Sequence, residues 1–526
     1  MKTFIAASVA GLAIIFSFNA LGSPGSNGIL NGTDTVTISL QGMKYLGSVD
    51  ERFQSYNVEM VEVVGGEFWR PYKTMDSLPG QGAAFDFSNR NQMFRKLPPI
   101  NLADKRLLNL AKGLAPAYVR VSGTWANTVY FHDNDSPATK APEGFANTLT
   151  KSQWKGVIDF MKVTNSKLIT SFAVSKGVRD SSGVWSPKEA QKMVNYTKSI
   201  GGKISGAELF NEPTIPMAGG VDTNYNGHNF AKDVAVFRAW AKKEVPGMLL
   251  IGPGSTAEGI PGQSFAGILK GFITTDSLMA PAPAPVFDVF SYHYYGAVSM
   301  RVMRGGPFSI KPENALKPEW LQRTDAVAGY YTALRDKYSA GKPVWVTETA
   351  EASAGGDPFA AAYLDCFRYL YQLGSLAKKR VQVVFHNTLA ASEYSLIDQD
   401  THLPKPNYWA ALLWAKLMGT KVYEAGKETQ GVYLFAHSIK GRNSGITLLI
   451  LNTNNVPATI HIPSAGEQYT LSSNELQSGS VQLNGQELKL TDDDMLPTIQ
   501  GKQVNAGTVA LPAASITFIT FESAGK

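Results

Sequence analysis

Two glutamates stand out by their neighbours. Glu212 lies in Leu209-Phe210-Asn211-Glu212-Pro213 and Glu348 in Trp345-Val346-Thr347-Glu348-Thr349. Each closes an apolar run with the composition of a buried strand, where a carboxyl is costly unless it is paired or used. Two such groups face to face divide the work on a bond between a sugar and its leaving oxygen. One protonates the departing oxygen and the other attacks the anomeric carbon, which on the retaining route requires about 5–5.5 Å between them. Their environments must drive their proton affinities apart. We assign Glu212 as the acid/base and Glu348 as the nucleophile. Asn211 then stands where a side-chain amide can bond the sugar 2-hydroxyl, a contact that strengthens in the transition state.

Such a pair needs a frame that brings positions 136 residues apart in the chain to one place. Apolar strand patterns fall at 53–60, 117–123, 167–174, 204–210, 248–252, 287–295, 343–347 and 381–385. Helical patterns alternate with them at 102–113, 152–163, 187–200, 232–245, 262–273, 318–339, 358–373 and 408–418. Continuous apolar strands, each followed by a helix, form a parallel sheet covered by helices. Right-handed crossovers leave an open doubly wound sheet or a closed barrel. Eight repeats favour a (β/α)8 TIM barrel, whose chemistry sits at the C-terminal ends of its strands, where both glutamates fall. No G-x-G-x-x-G follows the first strand, which counts against a dinucleotide fold.

After Gly419 the pattern changes to short strands at 432–437, 446–452, 458–462, 480–483, 488–490 and 516–521, with an Asn484-Gly485 hairpin signal. This reads as a β-sandwich. Thr35 to Leu40 alternates like a strand and needs a sheet to pair with, so it is expected to join that sandwich. The expected organisation is a leader over 1–22, an N-terminal strand segment over 23–50, a barrel over 51–419 and the sandwich over 420–526. The leader reading rests on Lys2, the apolar stretch 5–18 and Ala20-Leu21-Gly22 before Ser23, and predicts export to a secreted or periplasmic location. That stretch is short for a membrane span, which takes about 20 residues.

The chain of 526 residues carries 49 Lys and Arg against 43 Asp and Glu, a net charge of +6 spread without a basic tract. Nucleic acid is therefore not an expected partner. The single cysteine, Cys366, excludes an internal disulfide and lies in an apolar helical pattern. The seven histidines show no metal spacing, so no metal and no cofactor is expected. Gly262-Gln263-Ser264-Phe265-Ala266-Gly267 approaches a nucleophile elbow, but its last glycine is one place late and no strand feeds it.

Ordered motifs extend this reading. Asn211-Glu212-Pro213 resembles the acid/base signature of retaining barrel glycosidases. The wider pattern comprises Leu114-Ala115-Pro116-Ala117-Tyr118-Val119-Arg120 with Gly123-Thr124, Ser205 to Pro213, Tyr292-His293-Tyr294-Tyr295, Thr347-Glu348-Thr349 with Gly355-Gly356, and Tyr394-Ser395-Leu396-Ile397-Asp398. Pro406-Asn407-Tyr408-Trp409, Gly419-Thr420-Lys421-Val422 and Ser480-Val481-Gln482-Leu483-Asn484-Gly485 continue it. The whole is similar to the heparanase and β-glucuronidase family, glycoside hydrolase family 79, over nearly all the chain after the leader.

The resemblance implies a retaining β-glucuronidase acting on uronic-acid-containing oligo- or polysaccharides, either releasing terminal glucuronate or cutting inside heparan-sulfate-like chains. It needs no protein partner. It implies that Tyr394 and the amides around Gly355-Gly356 grip the uronate carboxylate, and that Thr124, Asn57 and Glu59 line the terminal sugar pocket. Period two leaves open whether Tyr292 with Tyr294 or His293 with Tyr295 points inward. Tyr294 is the favoured hydrogen-bond partner of Glu348. Arg120 either holds Glu348 ionised or makes a structural ion pair. The chain departs from the family in three places. It has Tyr292 where animal heparanases have a second histidine, Ser353-Ala354 where a tyrosine precedes the glycine pair, and a short polar loop at 130–152 in place of an excised segment. Arg301 and Arg304 are expected on the surface of the loop after the sixth strand, available to sulfate or to a second carboxylate. The competing readings are a non-catalytic carbohydrate-binding barrel and a barrel glycosidase for neutral sugars.

Overall fold

A computed structural model describes residues 36–75, 93–136, 140–263 and 269–522. The leader expected over 1–22 lies outside them. Among the described residues no helix is long and apolar enough to cross a membrane.

Eight strands close into a barrel: β1 (Gln54–Glu59), β2 (Tyr118–Ser122), β3 (Lys167–Ser171), β4 (Ile204–Glu208), β5 (Leu249–Ser255), β6 (Val289–Val298), β7 (Val344–Ser353) and β8 (Val383–His386). Neighbours pair in parallel all the way round, β8 meeting β1. Each falls within its expected stretch except where β5, β6, β7 and β8 run on. The longest extension is in β7, which continues six residues past Thr347 because Ala297 and Val298 of β6 stay in register with Ala352 and Ser353.

The helices form where the apolar spacing places them, with local signals fixing their ends. Helix Lys151–Thr164 starts on a capping box between Thr150 and Gln153 and stops at left-handed Asn165. The helix expected at 262–273 is replaced by a short one, Thr275–Met279. Residues 264–268 lie outside the description, and Gly262 and Gly271 hold φ of +73° and +76°, which an α-helix cannot carry. The loop expected at 130–152 is instead partly paired: Val129–His132 lies parallel to Asn147–Thr150.

Inside the barrel, the lower layers are apolar. Tyr118, Ile169, Ile251, Val289, Trp345, Val383 and Phe385 fill the bottom as one cluster, each such side chain contributing about 1.5–3 kcal/mol by leaving water. Moving up two residues along β2, β6 and β7 exchanges them for Arg120, Ser291 and Thr347, all buried. The polar layer therefore rests on a packed floor.

The C-terminal chain forms a large antiparallel sheet in which Tyr45–Ser48, Met418–Tyr423, Val432–Ile439, Ile446–Asn452, Ser515–Phe521 and Gly466–Ser472 are successive neighbours. A smaller sheet holds Val36–Thr37 parallel to Ala458–Ile462, which pairs with Gly507–Leu511. Leu434, Leu448, Ile450, Ile460 and Ile519 are buried in the apolar cluster these strands share. The expected N-terminal strand joins the C-terminal domain. Asn484 and Gly485, at φ +53° and +84°, turn Gln482–Leu483 into Gln486–Glu487, so the second hairpin strand comes before the expected 488–490.

Candidate active site

The polar layer is built around Arg120, which has no exposed surface. Its Nη2 is 2.7 Å from Glu208 Oε2 and its Nη1 3.0 Å from Glu348 Oε2. Nη2 also donates to Asn211 Oδ1 at 2.7 Å. Thr347 Oγ1 donates to the other oxygen of Glu208 at 2.7 Å. Burial pushes the Glu208 carboxyl upward, but the charge of Arg120 and the bonds from Thr347 and Arg120 outweigh it and hold the group below the usual carboxylate range. Glu208 was not singled out in the sequence. Its signal was there, as an acid inside an apolar strand four residues before Glu212.

A register irregularity decides which side chains reach the pair. Tyr292 lies opposite Val346, but His293 lies opposite Glu348, so β7 spends Thr347 and Glu348 against one step of β6. Such a bulge re-aims side chains. His293 and Tyr295 face inward, and the hydroxyl of Tyr295 donates to Glu348 Oε1 at 2.6 Å. This corrects the expectation for Tyr294, whose carbonyl accepts from Thr349 at 2.6 Å behind the barrel wall. Tyr292 is also outside the site. It stacks on Tyr331 with ring centroids 4.4 Å apart, and its buried hydroxyl has no partner among the described residues.

His293 Nδ1 is 3.0 Å from Glu212 Oε1 and 3.7 Å from Glu348 Oε2. Its Nε2 is 3.4 Å from Arg120 Nη2. Arginine only donates, so this network assigns Nε2 as the acceptor and places the proton on Nδ1, facing Glu212. One atom each of Glu212, His293 and Glu348 lies within 4.8 Å of the others. The grouping has the donor types of a metal site, yet the guanidinium of Arg120 already lies against Glu348 and His293. A cation there would meet a fixed positive charge.

Glu212 itself is left-handed, at φ +56°. That conformation costs a non-glycine residue about 1–3 kcal/mol and persists only where neighbours enforce it. Asn127 does so by bonding both sides of Asn211: its Oδ1 accepts from the Asn211 N–H and its Nδ2 donates to the Asn211 carbonyl, each at 3.0 Å.

On the opposite side, Glu59 and Asn57 of β1 are buried, and Asn57 donates to the Thr347 carbonyl at 3.2 Å. Burial, then the charge of Glu348, pushes the Glu59 carboxyl well above its ordinary range. A Cβ on Gly123 would fall 1.5 Å from Glu59 Oε2. Glycine is therefore required there, and it also holds φ +91°. Thr124 follows, half-buried, at the start of the turn Thr124–Thr128. Asn387, just past β8 and not singled out in the sequence, donates to Glu59 at 3.2 Å, to the Tyr295 hydroxyl at 2.9 Å and to the Tyr394 hydroxyl at 3.2 Å.

Tyr394 also packs against the Gly355-Gly356 turn, 3.1 Å from the position of a Gly356 Cβ. Both glycines are left-handed, at φ +92° and +77°. Arg301 braces this turn instead of lying on the surface. It is fully buried, donates to the Gly356 carbonyl at 2.7 Å and the Arg70 carbonyl at 2.9 Å, and pairs with Glu393. All its donors are turned inward because three loops converge on it, which spacing in sequence could not reveal. Arg304 is exposed as expected.

The fold has counterparts among solved structures. A 4-O-α-L-rhamnosyl-β-D-glucuronidase from Fusarium oxysporum superposes with a TM-score of 0.61 over 92% of this chain and 100% of its own, at 14% identity, a likeness of fold. Residues 74–258 match the description "Glycosyl hydrolase family 79, N-terminal domain". Bovine heparanase (Bos taurus) is 27% identical over 80% of this chain and 85% of its own length. The baicalin-β-D-glucuronidase of Scutellaria baicalensis is 24% identical over 76% and 79%. Residues 74–258 are thus similar to the N-terminal domain of glycoside hydrolase family 79, and most of the chain is similar to heparanase and β-glucuronidase relatives.

Proposed function

We propose that the protein is a retaining β-glucuronidase that hydrolyses β-linked glucuronate from uronic-acid-containing glycans. The observation that carries this is the approach of Glu212 and Glu348 to within 4.8 Å over a buried arginine, close to the separation the double-displacement route requires. Glu348 accepts a hydrogen bond from the Tyr295 hydroxyl on one oxygen and meets a guanidinium on the other, which suits a group that must be an anion when it attacks. Glu212 is the more exposed of the two and faces the Nδ1–H of His293, which suits a group that exchanges a proton with the leaving oxygen and then with water. Asn211, its Oδ1 occupied by Arg120, keeps its NH2 for the sugar 2-hydroxyl.

The uronate preference rests on the left-handed Gly355-Gly356 turn, whose successive N–H groups form an anion-accepting concavity, on Tyr394 beside it, and on relatives named for heparanase and glucuronidase activity. Export, on the strength of the expected leader, would bring the enzyme to extracellular glycans. The test compares an aryl β-glucuronide with the matching glucoside. The expected outcome is turnover of the glucuronide alone, reduced roughly 1,000-fold or more by Glu212→Gln or Glu348→Gln. Near-normal rates in both variants would remove the assignment. Equal rates on the two substrates would favour a neutral-sugar glycosidase.

A further inference from the structure

Resting on that reading, we propose that the two-stranded ribbon Gly66–Trp69 with Phe94–Leu97 is a fixed wall closing the mouth beyond C4 of the terminal glucuronate, so that the enzyme acts only from chain ends.

The ribbon lies between β1 and β2, its strands antiparallel with Trp69 opposite Phe94. Trp69 stacks on Phe94 with centroids 4.7 Å apart and meets Trp125, just after Thr124, edge-on at 6.3 Å. On its other side, the Cβ of Trp69 lies 2.8 Å from where a Gly355 side chain would begin. Trp69 therefore spans from the glycine turn after β7 to the turn after β2. In a glucuronate ring, the carboxylate sits on C5, next to C4, and C4 lies across the ring from the scissile bond at C1. A sugar whose carboxylate meets Gly355-Gly356 and whose leaving oxygen meets Glu212 directs its O4 toward the side where Trp69 stands. The leaving group departs over β4 to β6.

This wall is strapped in place. The Arg70 carbonyl accepts from Arg301, and the Tyr72 N–H donates to Glu393 Oε1 at 2.9 Å. The Tyr72 hydroxyl bonds Ser299 at 2.7 Å and the Gly356 carbonyl at 3.1 Å, and the Arg301 guanidinium lies 3.9 Å over the Tyr72 ring. Residues 69–72 are thus tied to the loops after β6, β7 and β8. A strand end with this many directional partners does not swing aside to admit another sugar.

The experiment uses two oligosaccharides. One ends in an unsubstituted β-linked glucuronate, and the other carries one further sugar on O4 of that residue. The wild-type chain is expected to release free glucuronate from the first and to be at least about 100-fold slower at the corresponding bond of the second. Trp69→Ala is expected to raise the ratio of the second rate to the first at least about tenfold, with Trp125→Ala as the alternative should the first variant not fold. Cleavage of both substrates within about threefold by the wild type would overturn the wall. Failure to turn over the aryl glucuronide falls on the hydrolase reading instead. Calorimetric binding of the two oligosaccharides then decides the wall. Binding of the unsubstituted one alone keeps it, and equal binding ends it.

Discussion

Arg120 Nη1 reaches Glu348 Oε2 at 3.0 Å from beneath the site, while the same guanidinium binds Glu208 at 2.7 Å. One buried cation thus serves two buried anions and fixes Asn211 as well. Replacing Arg120 with Met leaves both carboxylates without their counter-charge. Breaking such a buried set costs about 3–5 kcal/mol, which urea unfolding would register. Arg120→Lys keeps the charge but cannot fork to three acceptors, so we expect it to recover much of the stability and little of the turnover.

The hydroxyl of Tyr295 should matter to catalysis far more than to folding. A hydrogen bond to a charged acceptor contributes about 1.5–3 kcal/mol, and its loss in Tyr295→Phe corresponds to a fall in kcat of roughly 10- to 150-fold. Tyr292→Phe is the contrasting variant. Its buried hydroxyl lacks a partner, so removal should leave kcat in place and hold or raise the melting temperature. Equal losses in both would contradict the inward facing of His293 and Tyr295.

Glu62, three residues past Glu59, supplies a pH dependence. Burial pushes its carboxyl from an ordinary 4.5 to about 8, against one bond from the Glu59 N–H. The folded chain keeps this proton up to about 8, whereas the unfolded chain releases it near 4.5. The folded state binds more protons across that window, so the group's contribution to stability is full below 4.5 and declines as pH rises toward 8. Glu62→Gln retains an acceptor for Glu59 and does not titrate. Thermal unfolding of the variant between pH 5 and pH 8 should therefore fall less steeply than that of the parent. An unchanged difference across the window would exclude Glu62 as the source.

Gly123→Ala tests the pocket wall. The new methyl would occupy the place of the Glu59 carboxylate at a φ of +91°. Conformational strain alone costs about 1–3 kcal/mol, and Glu59 must also move. A lowered melting temperature together with a raised KM is the expected result.

The barrel was legible in the sequence because its strands are apolar throughout and its helices amphipathic, which are local properties. Glu212 and Glu348 were legible because an acid closing an apolar run is anomalous wherever it occurs. What was not legible depends on register. The choice between Tyr294 and Tyr295 turns on one extra residue in β7 at Thr347, which no pattern in either strand announces. Asn387 acts through three partners drawn from β1, β6 and the loop after β8, and Arg301 through loops more than two hundred residues apart in the chain. Such convergence is set by closure of the barrel. The ribbon at Gly66–Trp69 was missed because its strands are short and set within a region with no periodic signal of its own.

Tyr45–Ser48 pairs with Met418–Tyr423, and Val36–Thr37 pairs with Ala458–Ile462. The earliest described stretch of the polypeptide thus finds its place only in strands that follow the barrel. Those contacts cannot form until the ribosome has delivered the chain past Ile462, and closing so long an intervening stretch is entropically slow. Maturation should accordingly be limited by arrival of the strands after the barrel, and a nascent chain halted after the eighth barrel strand would keep its leading edge unsheltered.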